Sequence, residues 1–207
     1  MCGIAGWFDK TNNLNKHQHI IDNMSLSLAN RGPDEDGIFM RKNLCLIHRR
    51  LSIIDIESGK QPMTKAYKGK ICTIVYNGEI YNSPEIMSEL RSKGFSFFGH
   101  SDTEVVLTAY LCWGTKCVEK LNGIFAFAIW DDDEQRLFLA RDRIGVKPLF
   151  YYEYKNGLLF ASEIKTLLKN PIVEPKIDEQ GLYEVFLLGP ARTSGSVSYT
   201  HLTLPTN

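Results

Sequence analysis

Apolar residues recur along the chain in two rhythms, short unbroken runs bounded by turn residues and stretches with helical spacing, and their alternation predicts many strands with a few helices. The first run, Gly3-Ile4-Ala5-Gly6-Trp7-Phe8, reads as a strand. Ile20, Ile21, Met24 and Leu28 then fall on one stripe of a helix over residues 17–30. Strands are expected at 37–41, 44–54 and 71–76. Ser83-Pro84 opens a second helix, with Pro at its first position and Gly94 near its end. Ser101-Asp102-Thr103-Glu104 has the spacing of a capping box and opens a third helix that runs to Gly114. Further strands are predicted at 124–130, 136–141, 149–152 and 158–161, in runs rich in Phe, Ile and Tyr. Strands this apolar need cover on their faces, so an α+β fold of packed antiparallel sheets with helices outside is the natural architecture. Periodicity alone leaves a single sheet open.

Composition narrows the partners more than the fold. The chain has 207 residues, 43% of them hydrophobic, enough for the core of one large domain. Its formal net charge is zero and no basic block occurs, which argues against nucleic acid and against a membrane surface. No apolar run approaches the roughly 18–20 residues of a membrane span, and the N-terminus lacks a signal-peptide layout. A cytoplasmic location is expected. The five cysteines are odd in number and none sits in a C-x-x-C pair, so neither disulfides nor a zinc site is expected. Cys45, Cys72, Cys112 and Cys117 read as small core residues. His17, His19, His48, His100 and His201 lack metal-ligand spacing, and no metal is predicted. Phosphate-cradling glycine loops are absent too, which disfavours nucleotide binding by this chain.

Candidate chemistry begins at Cys2. In Met1-Cys2-Gly3-Ile4, removal of the initiator methionine would leave Cys2 with a free α-amine, whose pKa of about 7.7–8.0 suits it to take a proton from the thiol. Thiolate is the attacking species. Polar residues cluster at 31–37, 48–55, 76–82 and 101–102. Singly, each has a structural explanation as turn, solvated edge, hairpin or cap. Together with Cys2 they supply what hydrolysis of a glutamine side-chain amide requires. Asn77 and the backbone N–H of Gly78 could converge on an oxyanion. Arg50 could fork onto an α-carboxylate, and Asp102 or Glu79 could hold an ammonium.

These segments also carry a family resemblance. Met1-Cys2-Gly3-Ile4-Ala5-Gly6, Arg31-Gly32-Pro33-Asp34, Arg50-Leu51-Ser52-Ile53-Ile54-Asp55, Asn77-Gly78-Glu79-Ile80-Tyr81-Asn82, Ser101-Asp102-Thr103-Glu104 and Ala140-Arg141-Asp142-Arg143 with Gly145 and Lys147-Pro148-Leu149 occur in this order. The chain thus resembles the glutaminase domain of glutamine-hydrolysing asparagine synthetases, class II glutamine amidotransferases of the N-terminal-nucleophile hydrolase type. The resemblance implies a four-layer αββα sandwich. It implies Cys2 as nucleophile, Asn77 and Gly78 as oxyanion hole, and L-glutamine held by Arg50, Leu51, Ser52, Ile53, Ile54, Asn77, Gly78, Glu79 and Asp102. Segments 141–149 and 162–165 are implied to face a partner domain or the ammonia route, with a core or turn role equally open. The match is expected over 1–193, leaving 194–207 as a foreign or disordered tail. No cofactor is implied for this chain; ATP and Mg belong to a synthetase domain, normally in the same chain, whose Ser-Gly-Gly-x-Asp-Ser loop is absent here. Another class II amidotransferase, a non-catalytic regulatory module with Met1 retained, and a homodimer all stay open.

Overall fold

Gly3–Asp9 is buried along its whole length and forms β1, the central strand of the first of two sheets. The structure, a computed structural model, describes residues 1–51 and 59–175 together with the backbone of 202–203. β1 pairs antiparallel with β3 (Leu44–Arg50) and β9 (Gly157–Ala161), and β2 (Glu35–Met40) and β8 (Phe150–Tyr154) close the edges in the order β2-β3-β1-β9-β8. The second sheet is built on the long β5 (Lys70–Ile80) and on β6 (Gly123–Asp131), flanked by β4 (Met63–Tyr67) and β7 (Arg136–Arg141). A short β10 (Leu202–Thr203) pairs with β7. The rest of the predicted tail lies outside the described residues.

Helices cover both outer faces. α1 (Gln18–Ser27) and the short α4 (Ile164–Leu167) pack Ile21, Met24, Leu28 and Leu167 onto Ala5, Trp7 and Ile47 of the first sheet. On the second, α2 (Ser83–Ser92) and α3 (Asp102–Trp113) bury Ile86, Leu90, Val106 and Tyr110 against Ile74, Phe127 and Phe138. Between the sheets lie Ile4, Phe8, Leu46, Val75, Ala126 and Trp130. Side chains of a strand alternate between faces, so β1 sends Ile4 inward and Ala5 toward α1. With both faces covered, the strands read as continuous apolar runs rather than alternating ones. The result is the αββα sandwich the resemblance implied.

Departures from the predicted elements are local. The 17–30 helix is shorter, entered through a 3-10 turn at Leu14–Lys16. The 44–54 strand is seen to Arg50, and 52–58 lie outside the described residues. β4 has no counterpart in the predicted set. Asn77-Gly78 makes no hairpin: β5 runs straight through it. Gly is needed there for close approach, because a Cβ on Gly78 would sit 2.5 Å from the Ile124 carbonyl oxygen of β6.

Only half of the capping box forms. Ser101 Oγ accepts the Glu104 N–H, but the Glu104 carboxylate turns to the Phe98 and Gly99 amides and to Lys65 Nζ at 2.8 Å. Lys65 also donates to Ser96 O and Thr108 Oγ1, so this buried pair fixes β4, the 96–101 loop and the start of α3 together. Deleting one partner of such a pair costs about 3–5 kcal/mol. The network thereby sets the position of Asp102.

Candidate active site

Cys2 precedes β1 and shares the parity of Ile4, which places it on the inter-sheet side at the open end of the sandwich. Gly3 stands opposite Arg49, so Cys2 comes alongside the end of β3, where its Sγ lies 3.9 Å from Leu51 O. Its own carbonyl oxygen accepts Arg31 Nε at 3.1 Å. Arg31 reaches it because Gly32 is pressed onto β3: a Cβ there would come within 2.2 Å of the Arg49 carbonyl carbon. Asp34 N–H then donates to Arg50 O at 3.0 Å, strapping the Arg31–Asp34 segment down. Glu163, 3.4 Å away, holds Arg31 from the other side.

Arg50, expected on a solvated edge unless it bound substrate, is 5% exposed. Its Nη1 meets Glu35 Oε2 at 2.8 Å, which fixes the guanidinium on the inter-sheet side with His48. His48 is buried and donates through Nε2 to Tyr76 O at 3.2 Å. Burial pulls its pKa down to about 4, the Tyr76 bond opposing, Arg50 lowering it further and Glu35 raising it.

Facing them, β5 brings up Asn77, of the same parity as Val75. Asn77 is 4% exposed and, among the described residues, its Nδ2 has no hydrogen-bond partner. A buried amide donor is rarely left unpaired. The neighbouring Gly78 N–H is likewise placed for a ligand. Tyr76 and Ile80 direct their N–H groups away from β6, to Gln61 Oε1 at 2.6 Å and Asp102 Oδ2 at 2.8 Å. Phe125, opposite Gly78, gives its carbonyl to Asp142 N–H on the far side of β6. Backbone groups alternate along a strand, so Gly78 N–H points with those of Tyr76 and Ile80 to the edge that β4 leaves open after Met63↔Ile74.

Electrostatics tie the remaining residues to this point. Burial holds the Tyr76 hydroxyl well above its ordinary pKa, and Asp102, Glu79 and Cys2 add to the rise in that order. Nucleophile candidate and both acidic candidates are therefore within electrostatic reach of one side chain. Glu79 is exposed at the mouth; Asp102 commits one oxygen to Ile80. Ser52, Ile53 and Ile54 lie outside the described residues. Burial drives Cys45, Cys72 and Cys117 up to about 12 and raises Cys112, which is half-buried and packs against the core beneath α3.

The later motif segments divide. Asp142 accepts the Val146 and Lys147 amides and Arg141 Nε donates to Lys147 O, so 141–149 is a self-closed loop that presents Ile144 and Val146 to solvent. Ser162 is internal, its Oγ accepting Ile4 N–H. Sequence reasoning missed the roles of Arg31 and Gln61. Both act on backbone groups of distant residues, which leaves no signature in the sequence.

Among the described residues no cluster of side chains could hold a metal ion, and no helix is long and apolar enough to cross a membrane. Asparagine synthetase (glutamine-hydrolyzing) 3 of Bacillus subtilis (strain 168) is 47% identical over 196 residues, 95% of this chain and 32% of that protein. Asparagine synthetase B (glutamine-hydrolyzing) of Escherichia coli (strain K12) is 36% identical over 170 residues, 81% of this chain and 30% of that protein. The chain spans about a third of the length of these relatives. In fold it is similar to the allosteric regulatory enzyme of purine biosynthesis (TM-score 0.67, 19% identity, 81% of this chain and 43% of that one). A similar likeness holds for the B. subtilis glutamine phosphoribosylpyrophosphate amidotransferase (TM-score 0.64, 18% identity, 80% and 43%). The family profile described as Glutamine amidotransferase domain matches residues 1–204, and with nearly the whole chain inside that match the protein belongs to the glutamine amidotransferase domain family.

Proposed function

We propose that this chain hydrolyses glutamine to glutamate and ammonia through a Cys2 thioester, as the amidotransferase part of a glutamine-dependent asparagine synthetase. The observation that carries the reading is the unpartnered Asn77 Nδ2 beside an edge-facing Gly78 N–H, on the strand opposite Cys2. With Met1 removed, the Cys2 α-amine accepts the thiol proton and the thiolate attacks the side-chain amide carbon. The carbonyl oxygen becomes an oxyanion facing Asn77 and Gly78. The α-ammonium returns its proton to the departing nitrogen, ammonia leaves, and a γ-glutamyl thioester remains. Water, deprotonated by the same amine, then attacks the thioester and releases glutamate and the thiol. Arg50 holds the α-carboxylate and Asp102 with Glu79 the α-ammonium.

The ammonia acceptor lies in the two-thirds of the relatives' length that this chain does not span. We assign it to a synthetase domain that uses ATP and Mg2+ to activate aspartate, on the strength of the 47% identity to an asparagine synthetase against 19% and 18% for the two structural neighbours. Five unbridged thiols fit a reducing cytoplasm. A non-catalytic module is the second reading; it would follow if Met1, whose Sδ meets Lys147 Nζ at 3.5 Å, stayed in place.

The test is to purify the chain, determine its N-terminal residue by intact mass, and measure glutamate and ammonia released from glutamine. One-to-one release by protein beginning at Cys2, abolished by Cys2→Ala, is the expected result. Release by protein that retains Met1, or by Cys2→Ala, would overturn it.

A further inference from the structure

We propose that Gln61 is a positioning residue that sets the geometry of the oxyanion hole by standing in for a missing strand. The inference rests on the Asn77–Gly78 reading above. β4 pairs with β5 only as far as Met63↔Ile74, and the chain then leaves the sheet at Gln61-Pro62. The next outward-facing residue of β5 is Tyr76, and Gln61 meets it with its side chain. Oε1 accepts Tyr76 N–H at 2.6 Å, and Nε2 donates to Tyr76 O at 3.2 Å and to Thr103 Oγ1 at 3.2 Å. A primary amide offers one acceptor and two donors, and all three kinds of contact are used.

The side-chain clamp has a consequence that a strand would not. Were β4 to continue in register, its backbone would pair first with Tyr76 and then with Gly78, closing the edge where the oxyanion must sit. A side-chain amide satisfies one residue and stops there. Gln61 thus fixes β5 at the residue immediately before Asn77 and leaves Gly78 N–H available. Its own backbone packs closely against the first sheet, since a Cβ on Gly37 of β2 would collide with Gln61 O. Thr103, in the first turn of α3, links the clamp to the helix that carries Asp102.

The experiment compares glutamine hydrolysis by the full chain carrying Gln61→Ala, Gln61→Met, Asn77→Ala, and the pair Gln61→Met with Asn77→Ala. Gln61→Met keeps the bulk and removes the hydrogen bonds. Misplacing reacting groups by about an ångström costs up to about 100-fold in rate. Gln61→Ala and Gln61→Met should therefore each lower kcat about 10- to 100-fold with KM within about twofold of wild type. Because Gln61 acts through the donors, the paired variant should lose less than the product of the two single losses. Wild-type kcat in Gln61→Met would overturn the proposal by showing that bulk alone matters, as would multiplicative losses in the pair. If Gln61→Ala fails to fold, Gln61→Met decides. An unchanged kcat in Asn77→Ala would instead sink the oxyanion reading itself, whatever the Gln61 variants do.

Discussion

Removing the Asn77 amide should separate activity from stability, and the structure sets both magnitudes. Nδ2 is buried and has no hydrogen-bond partner among the described residues, so Asn77→Ala breaks no hydrogen bond seen at that atom. An unsatisfied buried donor carries a desolvation penalty of about 1–3 kcal/mol, and its removal offsets the packing lost with the amide. The melting temperature should stay level or rise. On the proposed mechanism the same atom faces the oxyanion in the transition state, where one preorganised donor is worth about 2.7–4 kcal/mol, or a 100- to 1,000-fold fall in kcat. KM should barely move, because the donor strengthens only as charge develops on the oxygen. Asn77→Asp, which keeps the shape and puts negative charge against the oxyanion, should be at least as slow. The assay is ammonia release across a range of glutamine concentrations, paired with thermal unfolding of the same samples. A higher KM at unchanged kcat would refute the assignment, and so would a loss of activity that simply follows a fall in melting temperature.

A glutamine analogue with an electrophile in place of the side-chain amide should label Cys2 alone, because burial keeps the Cys45, Cys72 and Cys117 thiols protonated with pKa values near 12; peptide mapping that finds adduct on any of these counts against the mechanism. Arg50→Ala should raise KM for glutamine about 10-fold or more, a charged hydrogen bond being worth about 1.5–3 kcal/mol, with Arg50→Lys restoring only part since a point charge replaces a planar fork. An unchanged saturation curve for Arg50→Ala would show that the carboxylate is held elsewhere. His48 is held neutral by burial, its pKa about 4 in the fold against about 6.5 unfolded, so the unfolded chain takes up the proton first as pH falls. Its share of stability is complete above about pH 6.5 and declines by about 3 kcal/mol toward pH 4; urea unfolding of wild type and His48→Gln that gave parallel pH curves would disprove this.

The sequence revealed elements and chemistry where the signal is local, and failed where partners are distant. The stripe of Ile20, Ile21, Met24 and Leu28 is legible because helical periodicity depends on one element's own face. β4 is not, because Met63–Tyr67 lacks β-branched bulk at its core positions and its middle residue is a lysine. That lysine is buried only because Glu104, contributed by α3, lies 2.8 Å away. Asn77-Gly78 shows the same limit from the other side. As a dipeptide it signals a turn, and the reason for its glycine is the Ile124 carbonyl of a strand more than forty residues on. Cys2 and Asn77 could be picked as candidates by their chemistry. That both lie on the inter-sheet side follows only from the packing of the two sheets.

The position of the candidate site at the end of β4 has its own physical cause. A strand presents side chains perpendicular to its sheet and backbone groups within the sheet plane, so a side-chain amide and the following N–H point in directions that do not meet over the middle of a sheet. They can meet on one ligand atom only at a rim, where the plane ends and the ligand can lie over the face and beside the edge at once. β5 makes such a rim at Asn77 and Gly78, because it runs past the last pair with β4 while remaining bonded to β6 on its other side. An open edge is a hazard for strand addition by other chains, and here it is blunted on both sides of Gly78, by the Gln61 amide at Tyr76 and the Asp102 carboxylate at Ile80. Among the described residues, what remains open is a gap one amide wide. An extended chain seeking to add along β5 would have to displace both side chains, whereas a single carbonyl oxygen needs only that one amide.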